Sequence, residues 1–129
     1  MMSLDLALIG NCNVAALLDR RGRIVWACWP RIDGDPVFCA LLDGENPDSG
    51  YFSIELEEEG AVTEQSYDRN TGIVRTVHRA PSGASFAITD FAPRFRQFGR
   101  TFRAPMLIRH VERIEGMCRI RPRIRPRMD

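Results

Sequence analysis

The chain has 129 residues, 44% of them hydrophobic and 27% charged. That length allows one domain, or part of one, and that composition excludes a disordered segment. Net charge is only +1, yet residues 1–65 hold 4 Arg against 12 acids (−8) and residues 66–129 hold 14 Arg against 5 (+9). Such a dipolar chain pairs its halves or offers the basic half to a partner.

No apolar run approaches the roughly 20 residues that cross a bilayer. The start, MMSLDLALIG, lacks a basic region and carries Asp5 inside its apolar stretch, which argues against a signal peptide. The cytoplasm is the expected compartment, with no membrane partner. Cys12, Cys28, Cys39 and Cys118 show neither a CxxC pair nor zinc-finger spacing, so buried free thiols are expected rather than disulfides or a metal site. All 18 basic side chains are Arg, which a GC-rich genome explains more simply than selection for phosphate grip.

The first elements form a hairpin. NVAALLD (Asn13–Asp19) and RIVWACW (Arg23–Trp29) flank a turn whose Gly22 can take positive φ. Both arms are apolar almost throughout, so cover on both faces is expected. A short helix is predicted over Pro36–Leu42, with Asp35 as N-cap, Pro36 at the first helical position and Gly44 as terminator.

From Gly50 the chain reads as β. GYFSIELEEE begins as an alternating strand and ends in an exposed acidic stretch. AVTEQSYDR and GIVRTVHRA join through Asn70-Thr71-Gly72 as a second hairpin, and SGASFAITDFAP makes a further strand. Arg94–Pro105 interleaves Phe and Arg around a Gly, the pattern of a loop or loose strand. MLIRHVERIEG and MCRIRPRIRPRMD are predicted to pair with each other, turning at Glu115-Gly116. Strands at roughly 8–12 residue spacing predict an all-β antiparallel sandwich with one short helix. Pro122 and Pro126 cannot donate to a ladder, which puts them at a sheet edge or exit. The chain ends without a polar tail or cap, so it reads as cut, and exposed edges are expected to drive self-association into a homo-oligomer.

The stretch from Ala7 to Gly44 resembles the start of glycoside hydrolase family 15 proteins of the bacterial glucoamylase and trehalase-like group. The matching positions are Leu8, Ile9 and Gly10, then Ala15, Ala16 and Leu17, then Gly22, Ile24 and Trp26. They continue with Pro30, Arg31 and Asp33, then Phe38, Leu41 and Leu42. YDRNTGIVRTVHRAPSGASFAITDFAP and LIRHVERIEGMCRIRPRIRPRMD are similar to later elements of the family, in the same order. The resemblance implies an N-terminal supersandwich that precedes an (α/α)6 barrel, with two barrel glutamates as acid and base of an inverting hydrolysis. Inversion needs carboxyls on opposite sides of the scissile bond, far enough apart to admit a water.

On that resemblance residues 1–129 form a single non-catalytic domain that braces the barrel. Its expected partners are the missing (α/α)6 catalytic domain and, in the full-length protein, an α-glucoside such as trehalose or a malto-oligosaccharide. No cofactor and no metal are implied. The rim or interdomain candidates are Trp26, Trp29, Arg31 and Asp33. The tryptophans lie three apart on a predicted strand and are expected to face opposite sides. Packing explains one, and the other can stack on a sugar ring or cover an interdomain contact. Arg31, Asp33 and Asp35 can be a charged constellation, although loop carboxylates commonly serve turns and caps.

His78 and His110 lie outside HExxH, and neither Gly-x-Ser-x-Gly nor a phosphate loop occurs. The arginines from Arg119 to Arg127 and the Phe/Arg segment from Phe95 to Phe102 keep a second class in view. That class is a stand-alone module binding carbohydrate or nucleic acid. The family resemblance instead sets these arginines against acids, so nucleic acid is the lesser partner.

Overall fold

The structure, a computed structural model, describes residues 5–43 and 48–127. Among these, one sheet contains β1 (Ala7–Gly10), β2 (Ala15–Leu18), β3 (Ile24–Cys28), β4 (Pro36–Phe38), β5 (Tyr51–Leu56) and β12 (Ile120–Arg125). Its order is β1-β2-β3-β5-β12, with β4 on β3. The second sheet holds β6 (Val62–Tyr67), β7 (Val74–Arg79), β8 (Ser85–Phe91) and β11 (Ile108–Glu115), in the order β11-β8-β7-β6. A separate ribbon pairs β9 (Phe95–Gln97) with β10 (Arg100–Phe102). The all-β antiparallel sandwich predicted from turn spacing is what forms.

The β2–β3 turn shows how local chemistry shapes it. Asp19 accepts from the backbone of Arg21 at 3.0 Å and of Arg23 at 2.9 Å, and pairs with Arg23 Nε at 2.7 Å. Gly22 sits at φ +75° in this turn, and a Cβ there would lie 3.1 Å from Thr76, so the left-handed backbone and the close approach both require glycine. Just after the turn the ladder slips, with Leu18 opposite Ile24 but Leu17 opposite Trp26. That bulge leaves Ile24 and Ala27 in one cluster and Val25 in another.

The core lies between the sheets. Ile9, Leu18 and Ile24 meet Val74 of the second sheet, and Ile54 meets Phe86 and Ile88. Each such side chain contributes roughly 1.5–3 kcal/mol on burial. On the far side of the first sheet, Val25 packs with Ala40, Leu6, Leu41 and Tyr51, which gives the hairpin the second cover its apolar arms predicted.

A buried ion pair of the second sheet reaches across this core. Arg109 Nε meets Asp90 Oδ1 at 2.7 Å, with the side chains only 4% and 0% exposed. The same guanidinium donates to Phe52 O at 3.0 Å and to Gly22 O, and sits 4.8 Å above the Phe52 ring. Burial pushes the Asp90 carboxyl up from its ordinary pKa, and Arg109 opposes that rise by charge and hydrogen bond. His78 lies in the same interior, 2% exposed and stacked on Phe86 at 4.7 Å. Burial, then Arg109 and Arg21, lower its pKa from 6.5 to about 4, against a smaller opposing pull from Asp19.

Three expectations are corrected. Pro36–Phe38 is a strand on the edge of β3, and helical geometry is confined to one 3-10 turn over Ala40–Leu42. The amides of Cys39 and Ala40 both donate to Gly50 O, at 3.0 and 2.9 Å, so the ladder and this tie leave room for only a single turn. Cys39, not Asp35, takes the N-cap position, while Gly44 lies outside the described residues. Arg94–Pro105 contains a hairpin rather than a loose strand. β11 and β12 do not pair with each other: β11 joins β8 and β12 joins β5. Arg109 must face Asp90, whereas Ile120 packs with Ile54, and those two demands send the strands to different sheets. Pro122 stands on the outermost strand β12 and Pro126 just past it, as the missing donors required.

Two stability predictions follow from this interior. Arg109→Met leaves Asp90 buried without its partner and is expected to cost about 3–5 kcal/mol in urea unfolding, much of it recovered in Asp90→Leu/Arg109→Met. Since His78 binds its proton at 6.5 when unfolded and at about 4 when folded, the unfolded chain holds more protons between those values. Stability present above pH 6.5 is therefore lost as pH falls toward 4, by on the order of 2–3 kcal/mol. Wild type minus His78→Leu, measured by thermal unfolding across that window, is expected to show this slope.

Candidate functional site

Three loops meet at one end of the sandwich, and Asn11 joins two of them. Its side chain is buried at 2% exposure. Nδ2 donates to Pro93 O at 3.0 Å and Ala104 O at 2.7 Å, the two stems of the β9–β10 hairpin. Oδ1 accepts from the amides of Asn13 at 3.0 Å and Val14 at 3.1 Å. Both donors and both acceptor positions of the amide are thus used. Asn13 extends the network: its Nδ2 donates to Arg103 O, and its carbonyl accepts from Ile32 N at 3.1 Å. The Trp29–Asp35 loop is thereby fastened to the same end.

Of the predicted residues, the structure brings Trp29, Arg31 and Asp33 together here. The loop closes through Trp29 N to Asp35 O at 3.2 Å and Gly34 N to Arg31 O at 3.0 Å. Arg31 Nε pairs with Asp33 Oδ1 at 3.2 Å, both side chains more than 70% exposed. Trp26 is elsewhere, half-buried in mid-strand opposite Leu17. Trp29 lies beyond the end of β3, so strand alternation does not govern the pair as expected. Cys12, expected to be buried, is exposed at this end, with Arg94 Nη1 3.6 Å from its sulfur. Cys28 is buried, and burial, then Asp35 and Asp33, push its thiol pKa up.

The hairpin projects from the Asn11 clamp. Phe95 and Phe102 are cross-strand partners with rings stacked at 4.6 Å. Phe98 and Gly99 make the tip at φ +50° and +73°. Positive φ at both central residues is the type I′ pattern, which Asn-Gly fits best. An aromatic residue there costs about 1–2 kcal/mol in backbone strain, and Phe98 returns nothing by packing, being 94% exposed. Arg94, Arg96, Arg100 and Arg103 give the segment four positive charges, with no acid between Asp90 and Glu112. Arg96, Arg100 and Arg103 make no ion pair among the described residues.

Further along, Arg121 reaches Glu57 at 3.8 Å and Arg127 reaches Asp43 at 3.5 Å, so two arginines of that ladder meet acids from the first half of the chain. A hollow of about 310 Å³ lies near Arg21, Glu55, Glu59 and His78. Arg21 already holds Glu55 at 2.7 Å, and Glu58 is held by Ser82 at 2.7 Å. Among the described residues no group of three His, Cys, Asp or Glu converges as a metal set. The loop end, tied together through Asn11 and Asn13, is therefore the candidate surface.

The sequence matches the family described as trehalase-like, N-terminal, over residues 4–113. The chain belongs to this family. Among curated proteins, the trehalase of Thermoplasma volcanium is 31% identical over 86 residues, 66% of this chain and 14% of that protein. Trehalase 1 of Sulfolobus acidocaldarius is 36% identical over 88 residues, 68% of this chain and 15% of its own length. The chain thus spans about a seventh of the relatives it matches. No solved structure matches. No helix among the described residues of this trehalase-like N-terminal chain is long and apolar enough to cross a membrane.

Asn11 and Asn13 were not singled out from sequence, although Asn-x-Asn between two apolar runs is a turn signal. Asn11→Ala orphans four backbone groups, one buried and three part-buried, and is expected to destabilise the chain by on the order of 2–3 kcal/mol. Amide exchange should accelerate in Asn13–Val14 and in Pro93–Ala104 before other regions.

Proposed function

We propose that this chain is the non-catalytic N-terminal domain of a trehalase-like glycoside hydrolase. It acts beside a catalytic (α/α)6 domain that hydrolyses an α-glucoside, trehalose first and malto-oligosaccharide second, in the cytoplasm. The observation that carries this reading is the family match over residues 4–113, joined to trehalase relatives of which the chain covers 14–15%. Inverting hydrolysis requires two carboxyls flanking the glycosidic bond. In this reading the catalytic domain supplies them, since the loop carboxylate nearest the candidate face, Asp33, is engaged by Arg31.

The domain's part is then mechanical and steric. Its two-sheet core is a stiff support for the loop end, and Trp29, Arg31 and Asp33 stand where they can meet the catalytic domain or line its mouth. An exposed ion pair contributes little alone, so the Arg31–Asp33 geometry gains value when a second surface removes it from water.

In the full-length polypeptide, Arg31→Ala and Asp33→Ala are each expected to lower kcat/KM for trehalose roughly tenfold, about 1.4 kcal/mol, or to lower the thermal midpoint by several degrees. Unchanged activity and unchanged stability in both variants would sink the rim and interface roles. The unpaired arginines of the hairpin favour one other reading, a stand-alone module that binds carbohydrate or nucleic acid. Heparin retention that falls steeply with salt and persists in the full-length protein would support that module instead.

A further inference from the structure

At its tip the β9–β10 hairpin works against its own local stability. Phe98 occupies a left-handed turn position where Asn would sit without strain, and it is 94% exposed. The base of the hairpin is nonetheless fixed by the fully engaged Asn11 amide. A fixed stem, a stacked Phe95–Phe102 shaft and an unburied aromatic tip describe an arm aimed at something outside the described residues. Strain at an exposed bulky residue points toward function when packing gives no return.

We infer that this hairpin is a docking arm, whose Phe98 tip and flanking arginines seat in the catalytic portion of the same polypeptide. The inference rests on the reading of the chain as the N-terminal domain of a trehalase-like hydrolase, and deepens it by naming the contact. Two observations select that occupant over another protein. The chain covers only 14–15% of its trehalase relatives, so the largest surface tethered to the arm is the remaining polypeptide, at high effective concentration. The arm also carries Arg96, Arg100 and Arg103 with no ion-pair partner among the described residues. Glycoside hydrolysis concentrates carboxylates around its bond-cleaving centre, which gives the opposing surface the complementary sign. The Trp29–Asp33 loop, bonded to Asn13, extends the same face beside the arm. The seat is therefore an apolar socket with a carboxylate rim.

Amide exchange over residues 95–102 tests this in the 129-residue chain and in the full-length polypeptide, each as wild type and as Phe98→Asn. In wild type the hairpin amides are expected to exchange at least tenfold more slowly in the full-length protein. Phe98→Asn should abolish that difference, while the thermal midpoint of the 129-residue chain stays level or rises because Asn-Gly relieves the turn. A merely structural Phe98 predicts the reverse, a lower midpoint in the short chain. Arg96→Glu/Arg100→Glu should remove the added protection as well.

Equal exchange in the two wild-type proteins overturns the arm, as does full protection retained in Phe98→Asn. If that happens while Arg31→Ala and Asp33→Ala still impair the full-length enzyme, the arm fails and the domain reading stands. If those variants are also silent, both fail.

Discussion

Arg109 binds across the two sheets, and the remaining architecture is arranged around what it touches. Its guanidinium takes the buried Asp90 carboxylate from β8 and the carbonyls of Phe52 and Gly22 from the opposite sheet. A cation in that position is tolerable only because every face of it finds an acceptor or an aromatic ring. The requirement propagates outward. Gly22 must present its carbonyl inward, so the Asp19–Arg23 turn must hold its shape, which the Asp19 carboxylate secures. The hydrophobic clusters on either side supply most of the stabilisation, but they are non-directional. The ion pair sets the register in which they meet.

The loop end uses the same device at smaller scale. Asn11 is neutral, buried and fully hydrogen-bonded, and it holds backbone from two distant parts of the chain at fixed separation. Polar groups in the core and at the loop end thus do the positioning, while the aliphatic interior does the holding. The surface so presented is basic and aromatic, with a pre-formed loop beside a pre-formed arm. The chain that presents it belongs to the family described as trehalase-like, N-terminal, and spans about a seventh of the relatives it matches.

Much of this was open to reading from residues. Gly22 and the Asn70-Thr71-Gly72 turn marked two hairpins because their backbone demands are local and strong. The spacing from Leu8 through Leu42 carried the family resemblance, which the match over residues 4–113 shows for its trehalase-like part. What stayed hidden depended on distant partners. Arg109 is one of 18 arginines, and nothing in MLIRHVERIEG distinguishes the inward one. β11 and β12 looked like neighbours because a Glu-Gly step between alternating strands is a turn signal. Their partners β8 and β5 were decided by Asp90 and Ile54 instead. Pro36–Phe38 looked helical because Asp-Pro before an apolar run starts helices as readily as edge strands. The Phe98-Gly99 tip was missed because bulky residues rarely open a type I′ turn, and that rarity is what makes the tip informative.

The placement of Arg109 also bears on the moment of synthesis. The guanidinium emerges 87 residues after the Gly22 carbonyl it must reach, and β12, which borders β5, emerges later still. Until then the Arg109 cross-link and β12 are unmade, so β5 keeps an open edge even though Val74 is already available to cover Ile9, Leu18 and Ile24. Such long-range closure folds slowly and exposes edges meanwhile. The interval between Gly22 and Arg109 is therefore when the unfinished sheets are most open to aggregation.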